Sequence, residues 1–223
     1  MKSMNTYLPY VAVGDSLTVG VGIPLFHFGF VERYAVKTEK YFHGRVPLQK
    51  FARIGATTDQ ILHNMSLPNV SSHLEKAEII SITAGGNDLI QGARAFLVDK
   101  DEEKLKEVVK KAIVNIDKMI DVLEEYKRDA RDDTYIIRVV NVYNPLPEIE
   151  LADLGIRKFN QHLEGFTKKP YIEVVDVYSA FKGKEEEYLS LDGIHPNERG
   201  YEVMALAVYE TGYGLLSKQQ IHS

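Results

Sequence analysis

The sequence predicts an α/β fold in which five parallel strands form one sheet with helices on both faces. Three observations predict it. Short apolar runs alternate along the chain with longer segments of helical periodicity, the order that strand-helix-strand connections impose. Several of the short runs are continuous and β-branched, Ile79-Ile80-Ser81-Ile82 and Ile136-Ile137-Arg138-Val139-Val140 among them, as strands covered on both sides read. The chain has 223 residues, 44% of them hydrophobic, enough to bury a full core, and a single domain over residues 1–223 is expected.

Taken in order, Tyr7–Val13 is the first strand, its apolar run ending at Gly14, and Gly29–Lys40 is a helix by its apolar spacing. Val46–Phe51 is the second strand and Thr57–Met65 the helix after it. Glu78–Thr83 is the third strand, the β-branched run before Ala84-Gly85-Gly86. The clearest helix is Asp101–Lys127, where Leu105, Val108, Val109, Ala112, Ile113, Ile116, Met119, Ile120 and Leu123 form one stripe and Lys and Glu fill the other face. Thr134–Val142 is the fourth strand, Leu151–Thr167 a helix, and Tyr171–Asp176 the fifth strand. Pro196–Glu210 closes the series, with proline pre-set for a helix start. Asn144-Pro145-Leu146-Pro147 directly follows a strand and reads as a loop at the carboxyl edge of the sheet, where open parallel sheets bind ligands.

Composition removes several functions. The net charge is −5 and there are no cysteines. Basic residues are dispersed among acidic ones, which leaves no field for nucleic acid. Disulfides, thiolate metal sites and a cysteine nucleophile are excluded. Met1–Thr6 carries no signal-peptide apolar stretch, and no segment approaches the roughly 18 apolar residues of a membrane span. A cytoplasmic protein without a transmembrane segment is expected, with a spore-associated or secreted location and contact with a membrane surface as alternatives.

Ser16, in Gly14-Asp15-Ser16-Leu17, stands at the carboxyl end of the first strand, and Asp192-Gly193-Ile194-His195 lies near the C-terminus. Acyl transfer from a serine needs a base for its proton, an acceptor to orient that base, and donors for the developing oxyanion. His195 and Asp192 suit the first two roles. Gly55, after the second strand, lets a backbone N–H approach a ligand, and Asn87, after the third, offers a side-chain amide. The N–H of Ser16 is the third donor. Each residue has a plainer reading by itself, a helix cap for Ser16 and turn chemistry for the glycines. Three separate turns nevertheless present the residue types that one chemistry needs. Asp15 is expected to hold the turn. The other histidines, His27, His43, His63, His73, His162 and His222, lack partners at ligand spacing, so no metal and no cofactor are expected.

Gly14-Asp15-Ser16-Leu17, Gly55, Gly85-Gly86-Asn87-Asp88 and Asp192-Gly193-Ile194-His195 resemble, in order, the four blocks of the SGNH/GDSL hydrolase family. The resemblance covers residue 11 to about residue 205. It implies a three-layer α/β/α fold with a flavodoxin-like strand order, Ser16 as nucleophile, His195 as base and Asp192 as its orienting acid. It also implies an oxyanion hole formed by the N–H groups of Ser16 and Gly55 with Asn87 Nδ2. The second block departs from the family's frequent pattern, with Lys50-Phe51-Ala52-Arg53 where an Asn and a further Gly often precede the functional glycine. Within the family, Gly14-Asp15-Ser16-Leu17-Thr18 and Asn144-Pro145-Leu146 are most similar to the bacterial lipase/esterase branch, including spore-associated lipases of bacilli.

The loops expected to line the site are apolar: Val19, Val21, Ile23, Pro24, Leu25, Phe26 and Phe28 after the nucleophile, Leu89, Ile90 and Phe96 after Asn87, and Tyr143, Pro145 and Leu146 after the fourth strand. Such a lining suits an acyl chain. The expected substrate is a lipid or lysophospholipid acyl ester, cleaved through an acyl-enzyme. A carbohydrate-ester deacetylase and a thioesterase are the alternatives within the family. The alternative of another class is a non-catalytic nucleotide- or phosphate-binding module, against which stands the lack of any G-x-G-x-x-G or Walker-type loop after a strand.

Overall fold

The structure is a computed structural model that describes residues 6–129, 135–214 and 216–219. Met1–Asn5, Thr134 and His222, named above, lie outside the described residues. Five parallel strands, β1 (Tyr10–Gly14), β2 (Leu48–Ala52), β3 (Ile79–Thr83), β4 (Ile136–Val140) and β5 (Ile172–Val175), pair in the order β2-β1-β3-β4-β5. The expected α/β/α fold with the flavodoxin-like order is the fold observed. Each strand is shorter than the sequence suggests, because residues such as Tyr7 and Pro9 approach the sheet outside the continuous ladder. Tyr7 makes only an isolated bridge to Arg45.

Helices α1 (Ser16–Val19), α2 (Phe30–Phe42), α3 (Thr58–Met65), α4 (Pro68–Lys76), α5 (Gly86–Asp99), α6 (Glu102–Tyr126), α7 (Glu150–Glu164), α8 (Val177–Phe181), α9 (Glu185–Tyr188), α10 (Glu198–Glu210) and α11 (Leu216–Gln219) complete the chain. Alternation along the strands splits the core in two. Val11, Val13, Ile80, Ile82, Ile137 and Val139 face α3, α4, α6 and α7. Tyr10, Ala12, Ile79, Ile136 and Val140 face α2, α8 and α10. The connections from β1 and β3 therefore leave on opposite faces, which opens a crevice at the carboxyl ends of these two neighbouring strands.

Helices α4 and α5 are absent from the sequence reading. α4 buries only Val70 and Leu74, too few positions for a periodic signal. α5 begins with two glycines that read as a turn. Its internal Gly92 has a packing reason, since a Cβ there would lie 2.9 Å from Leu105 Cδ1 of α6. α10 starts at Glu198, two residues later than proposed, because Asn197 caps it by accepting from the N–H groups of Arg199 and Gly200.

α6 also shapes the site. Its 25 residues span about 37 Å, against roughly 17 Å for a five-residue strand. Asn115, midway along α6, donates to Thr58 Oγ1 at the start of α3, so the first half of α6 and the antiparallel α5 rise past the carboxyl edge of the sheet. The resulting helical hairpin walls one side of the crevice.

Candidate active site

The nucleophile turn is built by close packing. A Cβ at Gly14 would overlap Thr83 Oγ1 and crowd its carbonyl oxygen, so only glycine lets β1 end against β3. Asp15 then caps α1 by accepting from Leu17 N–H at 3.0 Å, and it also accepts from Thr83 Oγ1 at 2.9 Å. Burial pushes its carboxyl pKa up, and those hydrogen bonds work in the opposite direction. Asp15 is thus occupied in holding the turn, and Ser16 becomes the first residue of α1, where its backbone N–H has no helical acceptor.

His195 Nε2 lies 2.9 Å from Ser16 Oγ, across 179 residues of chain. Its Nδ1 lies 2.6 Å from Asp192 Oδ2. The other oxygen, Asp192 Oδ1, accepts from Ser190 Oγ and from the N–H groups of Ile194 and His195 at 2.8–2.9 Å. Burial acts to raise the Asp192 pKa, but these bonds outweigh it and hold the carboxyl well below the usual carboxylate range. Its folded value is depressed, so the stability it contributes is present above about pH 4. That contribution is lost only as pH falls through the lower folded value, and the carboxylate stays charged at neutral pH.

Gly55 occupies the third position of a turn closed by Ala56 N–H to Arg53 C=O, with φ at +73°. Space would admit a side chain, so the left-handed backbone is what calls for glycine there. Asn87 Nδ2 donates to Ala56 C=O at 2.9 Å, which fixes the amide with its nitrogen toward the Gly55 turn and leaves its second hydrogen available. Among the described residues, the N–H groups of Ser16 and Gly55 make no hydrogen bond. Ser16, Gly55, Asn87 and His195 all border one cleft of about 300 Å³.

A second layer holds these turns together. Asp88 accepts from both Thr58 N–H and Thr58 Oγ1, so the residue after Asn87 caps α3 from across the crevice. Tyr143 Oη donates to Ile194 C=O at 2.6 Å, and Tyr201 Oη donates to Val21 C=O at 2.7 Å. Gly22, at φ +104°, lies where a Cβ would meet Pro196 O at 2.5 Å and His195 Cβ at 2.9 Å. Sequence reasoning missed Thr83, Asp88, Tyr201 and Gly22, because each acts through a partner far away in the chain.

The residue types and geometry now bear comparison with known proteins. The description of the GDSL-like lipase/acylhydrolase family matches residues 12–203. The chain belongs to this family. It is accordingly a carboxylic ester hydrolase, similar to a spore germination lipase, LipC, of Bacillus licheniformis. The two are 44% identical over 209 residues, covering 94% of this chain and 98% of the relative. The crystal structure of the lipase Lip_vut3 from a goat rumen metagenome superposes with a TM-score of 0.89 at 43% identity, covering 93% of this chain and 98% of that one. An acetylxylan esterase of Geobacillus stearothermophilus, at 17% identity and a TM-score of 0.68 over 96% of this chain and 98% of its own, shares the fold.

Within this family member the cleft is lined by Leu89, Ile90, Tyr143, Pro145 and Leu146, and by Ala93 and Arg94 of α5 and Ala152 and Ile156 of α7. Val19, Val21, Ile23, Pro24, Leu25, Phe26, Phe28 and Phe96 do not line it. Ile23 packs beneath the loop against the core on the α2 and α10 face, and Leu25 and Phe26 point to solvent. The wall they were expected to supply comes from the raised α5–α6 hairpin instead. Among the described residues no group of His, Asp or Glu side chains could hold a metal ion, and no helix is long and apolar enough to cross a membrane.

Proposed function

We propose that the protein hydrolyses acyl esters of lipid type by nucleophilic catalysis from Ser16. The observation that carries this is the unbroken relay from Ser16 Oγ through His195 to Asp192, opening into a cleft whose walls are mainly apolar. Ser16 Oγ attacks the ester carbonyl carbon while its proton passes to His195 Nε2. The carbonyl oxygen, now negative, lies among the N–H groups of Ser16 and Gly55 and Asn87 Nδ2. Collapse breaks the bond to the alcohol oxygen, which takes the proton from His195 and leaves. Water then attacks the acyl carbon while its proton passes to His195 Nε2, and collapse breaks the acyl bond to Ser16 Oγ, which takes that proton back as the acid leaves. Asp192 stays ionised throughout, fixes the His195 tautomer and offsets the imidazolium charge.

The cleft, at about 300 Å³, sits at the small end of the range for small-molecule sites. Leu89, Ile90, Ala93, Ile156, Pro145 and Leu146 present apolar walls, and the only Lys or Arg among the lining residues is Arg94. That composition favours an acyl chain over a sugar or a phosphate group. With purified protein and esters from acetyl to palmitoyl, kcat/KM is expected to rise from acetyl toward medium chains. A sharp preference for acetylated sugars, or for acyl thioesters, overturns the lipid-ester reading.

Asn87→Ala is expected to lower kcat by about 10²- to 10³-fold, the loss typical of one oxyanion donor. It also removes the bond to Ala56 C=O, at a cost of about 1 kcal/mol in stability. Turnover and thermal unfolding measured on the same preparation separate the two effects. Near-normal turnover in this variant removes Asn87 from the mechanism.

A further inference from the structure

Leu191 and Phe26 are the two most exposed large apolar side chains among the described residues, at 109% and 93%, and Leu25 stands at 80%. They sit on two loops that meet beside His195. The first loop packs through Gly22 onto Pro196 O and His195 Cβ, and its His27 pairs with Glu198, at the start of α10, at 2.7 Å. The second, Ser190–His195, carries Leu191 next to Asp192. The apolar tips therefore flank the mouth of the cleft.

The conformation of the first tip is a separate observation. His27 N–H closes a turn onto Pro24 C=O, with Leu25 and Phe26 at its centre and Phe26 at φ +71°. Glycine or asparagine is favoured at that position of such a turn, and an aromatic residue is rare there. The chain thus holds a phenyl ring that is 93% exposed on a strained backbone.

The charges around the tip balance as a group, with Arg33, Lys37 and Lys50 against Glu32, Glu198 and Glu202. Arg33 and Lys37 both bind Glu202, Lys50 binds Glu32, and His27 binds Glu198. A surface of balanced charges beneath an apolar tip complements a neutral or zwitterionic layer and gives no attraction to an anionic one.

We propose that Leu25, Phe26 and Leu191 dock the protein onto a zwitterionic lipid surface, holding the cleft mouth against the ester-bearing layer. The proposal rests on the lipid-ester reading of the cleft for its purpose, but its test does not depend on turnover. Flotation with phosphatidylcholine vesicles, in a Ser16→Ala background so that no lipid is consumed, reads binding alone. Leu25→Ser/Phe26→Asn should lower partition at least tenfold, in keeping with two apolar side chains withdrawn from the interface. On an intact active site the same pair should leave turnover of a soluble short-chain ester within twofold. Phe26→Asn by itself should keep or raise the melting temperature, since asparagine tolerates the left-handed backbone. Leu206→Gln, an exposed apolar position on α10, should not change partition.

Equal partition of the double variant, absence of partition by the parent, or binding confined to anionic vesicles and abolished by salt would each overturn the proposal. So would concentration-dependent self-association abolished by Phe26→Asn, which would make a second copy the occupant of the tip. Partition retained by a protein inactive on every ester would overturn the reading of the cleft alone.

Discussion

Ser16→Ala is expected to lower kcat on a chromogenic ester by about 10⁴-fold or more, the scale of loss when a serine nucleophile is removed. The variant keeps the fold. Ser16 begins α1, whose cap is Asp15, and the turn depends on Gly14, Asp15 and Thr83 rather than on the Ser16 hydroxyl. Among the described residues its side chain bonds His195 Nε2 alone, so deletion should cost about 1 kcal/mol of stability. Residual binding of an acyl-chain product, measured by calorimetry, should match the parent, because the cleft walls are untouched. Turnover within a factor of ten of the parent would mean that another group makes the acyl bond.

The second large effect is expected from Asp192→Asn, again about 10⁴-fold in kcat, by a different route. Asp192 Oδ1 takes three donors that organise the Ser190–His195 loop, and an amide oxygen in its place can keep them. The amide nitrogen then faces His195 Nδ1 and offers a hydrogen where the carboxylate accepted one. Nδ1 must become an acceptor, so the ring proton moves to Nε2. That nitrogen can no longer take the proton of Ser16. The loop survives and the chemistry stops, which thermal unfolding together with a kcat/KM pH profile would register. Asp192→Ala, lacking the amide oxygen as well, should lose both stability and activity. If Asp192→Asn stays within tenfold of the parent, Asp192 does not set the tautomer.

The two variants bear on residues that the sequence made legible, and other parts of the site were not legible for physical reasons. Gly14, Gly55 and Gly85-Gly86 stand out because a strand end that turns sharply needs either positive φ or room for a neighbour, and both needs leave glycine in the sequence. The apolar stripe of α6 stands out because one helix face must be buried along its whole length. By contrast, Thr83, Asp88 and Tyr201 act through partners 68, 30 and 180 residues away. An unremarkable threonine, aspartate or tyrosine carries no local mark of such a bond. Leu25 and Phe26 misled for a related reason, since closeness in sequence to Ser16 suggested a wall of the cleft. The loop instead carries them past His195 into solvent.

Local physics thus let the sequence by itself determine the strands, the main helices, the turn glycines and the residue types for an acyl transfer. Backbone sterics and hydrophobic periodicity act within a few residues and so can be read there. Tertiary structure alone decided which ends meet. The crossover that places β1 beside β3 brings Ser16 near Asn87, and the return of the chain through α10 depends on packing two faces of one sheet. The excess length of α6 lifts a helical hairpin over the carboxyl edge and gives the cleft its apolar wall. Each of these depends on contacts distant in sequence, and their free energy exists only once the whole core has formed.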